Sequence, residues 1–186
     1  MVSKFNQSLI RQKLIKMTES APGLFQRLNK KSISVMVRTR GIDLLRAEVF
    51  LDDLNVLSGG EYQHYFTFTP FVQLLYDDFL LQIRKQYSPV EMANRLVSRR
   101  RKYFNNQDGL CSHTLKSKWF LIPVPLERPL VLRGEVFLHD LTVSCPGFKM
   151  NLSALLSILV LDFISEIRKG NQQELIRMIV NRLEQD

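Results

Sequence analysis

The chain has 186 residues, with 26 Lys+Arg against 18 Asp+Glu, a net charge of +8 and an isoelectric point near 9.7. A content of 45% hydrophobic and 24% charged residues excludes disordered and collagen-like chains and is enough for one ordinary domain or two small ones. The positive excess favours polyanionic partners or anionic surfaces, and two cysteines, Cys111 and Cys145, do not make a secreted disulfide framework, so a cytoplasmic location is expected.

Residues 1–31 carry seven basic residues and one acidic, and Phe5, Ile10, Leu14, Ile15 and Met17 predict a basic amphipathic helical arm closed by Ser20-Ala21-Pro22-Gly23. No basic leader followed by an apolar block is seen in this arm. Beyond it the chain is duplicated. LLRAEVFLDDLNV (44–56) and VLRGEVFLHDLTV (131–143) match at nine of thirteen positions at an offset of 87, and LLYDDFLLQIRK (74–85) matches ILVLDFISEIRK (158–169) at six of twelve at an offset of 84.

The expected units are repeat 1 (32–104), a linker rich in Asn, Ser and Gly (105–118) and repeat 2 (119–186). Each opens with a short strand (Ser32 to Arg38; Trp119 to Val124) and continues through a long extended hairpin built on LRxEVFLxDL. A third short strand and two helices follow. The predicted class is therefore α+β: two strand-hairpin-strand-helix-helix units preceded by an N-terminal helix.

Cap signals place the helices. Thr69-Pro70 starts one, with Arg84 and Lys85 at its C-terminal end, and Ser88-Pro89-Val90-Glu91 is a capping box for the next. In repeat 2, Ser153 is the expected cap, Gly170 the stop, and Asn171 with Glu174 the start of the second helix. The stretch Leu152 to Ile164, interrupted by Ser153, Ser157 and Asp162, is shorter than the roughly 18–20 residues of a membrane span and reads as a core helix, so no membrane partner is expected.

The third strand separates two chemistries by its alternation. Phe148, Met150 and Leu152 share one face; Lys149, Asn151 and Ser153 share the other. In repeat 1, His64, Phe66 and Phe68 oppose Tyr65, Thr67 and Thr69. A short amphipathic strand, a helix, a tight turn and a second helix resemble the ribbon-helix-helix family of DNA-binding proteins, the MetJ/Arc class, over about 40 residues in each copy, most closely at FKMNLSALLSILVLDFISEIRKGNQQELIRMIVNRLEQ. The resemblance implies that two such strands pair antiparallel into a ribbon that enters the DNA major groove, while the N-terminus of each second helix grips a phosphate. It implies base contacts from Lys149, Asn151, Ser153, Tyr65 and Thr67, and phosphate contacts from Ser88, Asn171 and Gln172.

A second basic concentration, residues 81–103, again carries seven basic residues and one acidic. Within it Arg95, Arg99 and Lys102 fall within about 60° of one another on a helix. With Arg100 they are expected to neutralise phosphates. Copy 2 is expected to pair with copy 2 of a second chain, giving a homodimer or higher oligomer.

Other chemistry is weakly indicated. Glu48 with Asp53, repeated as Glu135 with Asp140, lie on opposite faces of a strand, and Arg46–Glu48 and Arg133–Glu135 are expected as ion pairs. His64, His113 and His139 lack metal-ligand spacing. There is no Walker loop, GxGxxG or nucleophile elbow, and a faint likeness of Asp53 to Gly59 to a PilZ turn has displaced residues. The expectation is a non-enzymatic, sequence-specific regulator of transcription that binds double-stranded DNA, without cofactor or metal. The alternative is a scaffold module that binds an acidic protein partner, with a nuclease using the acidic segments as a third reading.

Overall fold

The computed structural model describes residues 32–57, 67–85, 88–104, 118–171, 174–176 and 179. The N-terminal arm, the linker apart from Lys118, and Tyr65, Gln172, His64, Cys111 and His113 lie outside the described residues. The chain order is β1 (Ser32–Arg40), α1 (Gly41–Leu57), α2 (Phe68–Lys85), α3 (Pro89–Phe104), β2 (Trp119–Glu127), α4 (Arg128–Ser144) and α5 (Leu152–Arg168), with helical residues again at 174–176. The class is mixed but mostly helical, with one two-stranded antiparallel sheet among the described residues.

The duplication is kept to the residue. Adding 87 to the bounds of β1 and α1 gives those of β2 and α4, and adding 84 to Phe68 gives Leu152. Its content differs from expectation in two places. The LRxEVFLxDL segments are helices, not hairpins, because Ala47, Phe50, Leu51 and Leu54 are all buried at spacings of three, four and seven, the period of a helix face. Arg46 accordingly pairs with Asp43, three residues back, instead of Glu48. The predicted third strand is also absent from repeat 2. Residues 148–151 have no regular structure, since Asn151 takes the N-cap of α5 by accepting from the Ala154 amide at 2.9 Å.

The ribbon is formed by the opening strands of the two copies, within one chain. In its register Met36 faces Pro123, its own counterpart in the repeat (36 + 87 = 123), so the strands are related by a local twofold axis through that pair. The paired strands are thus the opening strands and not residues 148–153. Val35, Val37, Thr39, Val124 and Leu126 point into the core, while Ser34, Met36, Arg38, Leu121, Pro123 and Pro125 face out.

Each free edge takes side-chain hydrogen bonds from a helix of the opposite copy. Along β1, the Arg38 amide donates to Ser157 Oγ at 2.8 Å and Ser153 Oγ donates to the Met36 carbonyl; Ser157 in turn donates to the Ser153 carbonyl at 2.6 Å. Along β2, Gln73 Nε2 donates to the Pro125 carbonyl at 2.7 Å. Gln73 is the counterpart of Ser157 (73 + 84 = 157) and Pro125 that of Arg38. Where the strand presents an N–H the helix supplies an acceptor, and where proline removes the N–H it supplies a donor. Pro123 and Pro125 share the outward-pointing parity, so neither deprives the ladder of a hydrogen bond.

The core is interlocked in the same sense. Phe79 of α2 meets Phe137 of α4 edge to face at 5.5 Å, and their counterparts Phe163 of α5 and Phe50 of α1 meet at 5.1 Å. Each copy's second helix thus packs on the other copy's strand and first helix. A further cluster joins Phe50, Leu54, Phe71 and Phe163 with Leu175 and Ile179. Volume is exchanged between halves. Buried Tyr76 donates to the Leu130 carbonyl at 2.9 Å and lies over Gly134, whereas at the repeat positions Val160 stands for Tyr76 and Ala47 for Gly134. Burial above all, helped by the charges of Asp77 and Glu135, pushes the Tyr76 phenol up to about 12.

A methyl group on Gly134 would lie 2.0 Å from the Tyr76 hydroxyl oxygen and 2.8 Å from Leu152. Gly134→Ala should therefore destabilise the chain by about 1–3 kcal/mol despite its better helix propensity, measured by denaturant unfolding. Adding Tyr76→Phe, which removes the clashing oxygen, should recover part of the loss.

Candidate nucleic-acid interface

One end of the ribbon gathers cations and aromatic rings. Arg38 and Arg40 alternate with buried Val37 and Thr39, so both guanidinium groups are carried on the outer face of β1. The facing residue of β2 is Trp119, and the C-terminus of α3 brings Phe104 to within 5.5 Å of it. The Arg38 guanidinium lies 4.5 Å from the Trp119 ring and 5.5 Å from Phe104, and that of Arg40 lies 5.2 Å from Trp119. Among the described residues neither has a carboxylate within ion-pairing distance. The rings flank the two cations without neutralising them.

Beside them opens a cleft of about 240 Å3, in which Arg40, Lys102, Arg168 and Asp43 surround Trp119 and Tyr103. Asp43 is buried and its Oδ1 accepts from Arg168 at 2.6 Å and Arg46 at 3.1 Å, so one carboxylate orders two guanidinium groups. Asp162 fixes α3 against α5: it pairs with Arg99 and accepts from the Tyr103 hydroxyl at 2.7 Å. Burial raises the Asp162 carboxyl above its ordinary value, outweighing the Tyr103 hydrogen bond and the charge of Arg99. Burial, with the Asp162 contact, also pushes the Tyr103 phenol up.

The sequence-predicted base readers are not on the ribbon. Lys149 is exposed and its carbonyl accepts from Arg100 at 2.6 Å. Asn151 is spent on the α5 cap and Ser153 on the edge of β1. Thr67 stands ahead of α2, its carbonyl accepting from the Phe71 amide at 3.1 Å, and Ser88 does the same for Met92 at 3.0 Å. Asn171 donates to Glu166 at 3.0 Å; the Lys169 hydrogen bond first, and that of Asn171 after it, hold the Glu166 carboxyl below its usual range.

Of the predicted phosphate contacts, Arg95, Arg100 and Lys102 are exposed on α3, and so is Arg101; Arg99 is committed to Asp162. The structure brings Lys102 to the ribbon end and leaves Lys149, Asn171 and Ser88 elsewhere. Sequence reasoning missed Arg38, Arg40, Trp119 and Phe104. The signal is present in β1, where Ser34, Met36, Arg38 and Arg40 alternate with Val35, Val37 and Thr39, the same period of two that residues 148–153 display.

Comparison of the chain with known protein families, curated proteins and solved structures returns no match. Among the described residues no cluster of His, Cys, Asp and Glu could hold a metal ion, and no helix is long and apolar enough to cross a membrane.

Since Asn151 is a helix cap, Asn151→Ala should cost about 1 kcal/mol of unfolding stability, and Asn151→Ser should retain most of it. Asp162 gives a pH signature. Its folded carboxyl binds a proton more tightly than the unfolded one, so its contribution is full below the ordinary carboxyl range, near pH ~3.9, and is lost as pH rises through the raised value. The stability of the parent chain relative to Asp162→Asn should accordingly decline from acid to neutral pH, followed by thermal unfolding in buffers of matched ionic strength.

Proposed function

We propose that the chain is a sequence-specific DNA-binding protein, acting as a regulator of transcription, whose β1–β2 ribbon enters the major groove of double-stranded DNA. The observation that carries this reading is the pair Arg38 and Arg40, with both guanidinium groups against Trp119 on the outer face of an antiparallel ribbon. A two-stranded ribbon fits the major groove, and an extended guanidinium is the side chain that bonds guanine O6 and N7 together. Ser34 can contact a base or a phosphate, and Met36 and Leu121 offer apolar contact to a thymine methyl. The exposed cations of α3, Arg95, Arg100, Arg101 and Lys102, continue the positive surface beyond the ribbon end and suit the phosphate backbone.

The order strand, helix, helix, with the two strands paired about a local twofold axis, supports the ribbon-helix-helix reading with different residues in the strand role. In this assignment β1-α1-α2 and β2-α4-α5 are the two units, and the starts of α2 and α5 lie beside the ribbon edges they seal. The chemistry of the ribbon is one-sided. The counterparts of Arg38 and Arg40 are Pro125 and Glu127, so guanine-reading capacity belongs to one half of the site.

The test is binding to labelled duplexes over a salt series. Arg38→Ala with Arg40→Ala should lower selectivity for a preferred duplex over random DNA by about tenfold or more for each guanine that no longer meets a guanidinium. Replacing Arg95, Arg101 and Lys102 with alanine should weaken all duplexes alike and reduce the salt slope by about 0.9 for each phosphate left without its cation. Lys149→Ala should change neither. Unchanged selectivity in the double arginine variant would remove the ribbon from the reading role, and equal displacement by duplex DNA and by polyglutamate would favour an acidic protein partner instead.

A further inference from the structure

Eleven large hydrophobic residues are exposed among the described residues, and six of them belong to one repeated pattern. On α1 these are Leu45, Val49 and Val56; on α4 they are Leu132, Val136 and Val143, each the counterpart of the former at an offset of 87. Every one keeps between 50% and 79% of its surface exposed. At roughly 100° per residue, positions 45, 49, 52 and 56 fall within about 60°, so each helix presents a single apolar stripe on the side away from the core. The remaining position in the stripe is the place where the copies differ: Asp52 on α1 and His139 on α4, both exposed. Leu132 and Val136 also line, with Leu80, Ile83 and Arg133, an apolar groove of about 360 Å3 between α2 and α4.

We propose that the α1 stripe of one copy of this chain docks on the α4 stripe of a second copy. Charge complementarity selects this partner and this pairing. Setting α1 against α1 brings two Asp52 carboxylates together inside an apolar contact, and setting α4 against α4 puts two imidazoles face to face with no acid within the stripe, Glu135 and Asp140 flanking it. The cross pairing places Asp52 opposite His139, with Arg133 on the groove wall near the acidic side of α1. Buried like charges are costly, whereas an acid facing a hydrogen-bond donor is tolerated. Such a contact is heterologous: one copy retains an unused α4 stripe and the other an unused α1 stripe, so copies add in series unless the rotation between them closes a ring. The inference is independent of the DNA reading, because neither stripe includes a residue of the ribbon or of α3.

Sedimentation and light scattering of the full chain over a range of micromolar concentrations test it, with circular dichroism confirming that each variant is folded. The parent chain should assemble beyond a dimer as concentration rises. Val49→Glu and Val136→Glu should each be monomeric alone, yet their equimolar mixture should form a one-to-one complex and nothing larger, since it holds one intact α1 stripe and one intact α4 stripe. His139→Asp should weaken assembly by about tenfold or more, and adding Asp52→His, which exchanges the two groups, should restore it. Three results overturn the proposal: a parent chain that stays monomeric throughout, as when residues 1–31 of the same chain cover the stripes; a Val136→Glu variant that still dimerises through α1; or a charge exchange that does not restore the assembly weakened in the single variant.

Discussion

A two-stranded ribbon has as many unpaired edge groups as paired ones, and the described helices are arranged around that fact. Ser153 and Ser157 of α5 occupy the edge of β1, and Gln73 of α2 occupies the edge of β2. For these side chains to reach, each copy's second helix must cross to the other copy's strand. The crossing brings Phe79 onto Phe137 and Phe163 onto Phe50, so the satisfaction of backbone groups and the burial of the core are achieved by the same interlocking. Neither copy can satisfy its strand alone, which is why the duplication behaves as one folded body.

Within that near-symmetry the departures are chemically paired. Proline in β2 removes an N–H, and the helix position opposite changes from Ser157 to Gln73, from acceptor to donor. A large Tyr76 faces Gly134 in one half, where the repeat has Val160 and Ala47. Close packing explains such compensation: a change of one side chain in a dense interior is tolerated only when its neighbour gives back the volume. Other departures fall on the surface and make regions related by the repeat chemically unlike. Arg38 and Arg40 gather with Trp119 at one end of the ribbon, while Glu127 and Pro125 stand at the other. Asp52 and His139 make two otherwise similar helix faces unlike each other.

The misplaced elements share one cause. A segment such as LLRAEVFLDDLNV is apolar enough to satisfy a strand pattern or a helix pattern locally. Which residues are buried decides between them, and Ala47, Phe50, Leu51 and Leu54 are buried only because α5 and the strand pack on that side. Residues 148–151 show the reverse: an alternating segment with no strand beside it has nowhere to place its backbone hydrogen bonds, so it remains an irregular approach to the α5 cap. Thr39 and Ser157 are buried polar residues whose placement likewise belongs to the ribbon contact.

By itself the sequence determined the duplication and its offsets, the opening strands at Ser32 and Trp119, the helices beginning at Pro89 and near Leu152, the stop of the latter at Gly170, and the concentration of cations on α3. These follow from identity between copies, local cap chemistry and charge, which need only neighbours along the chain. Tertiary structure decided which strands pair, that they pair within one chain, and that Arg38 and Arg40 rather than Lys149 and Asn151 occupy the outer face of the ribbon. Those outcomes depend on which backbone edges find partners and which apolar faces find cover, and both are set by segments far apart in sequence.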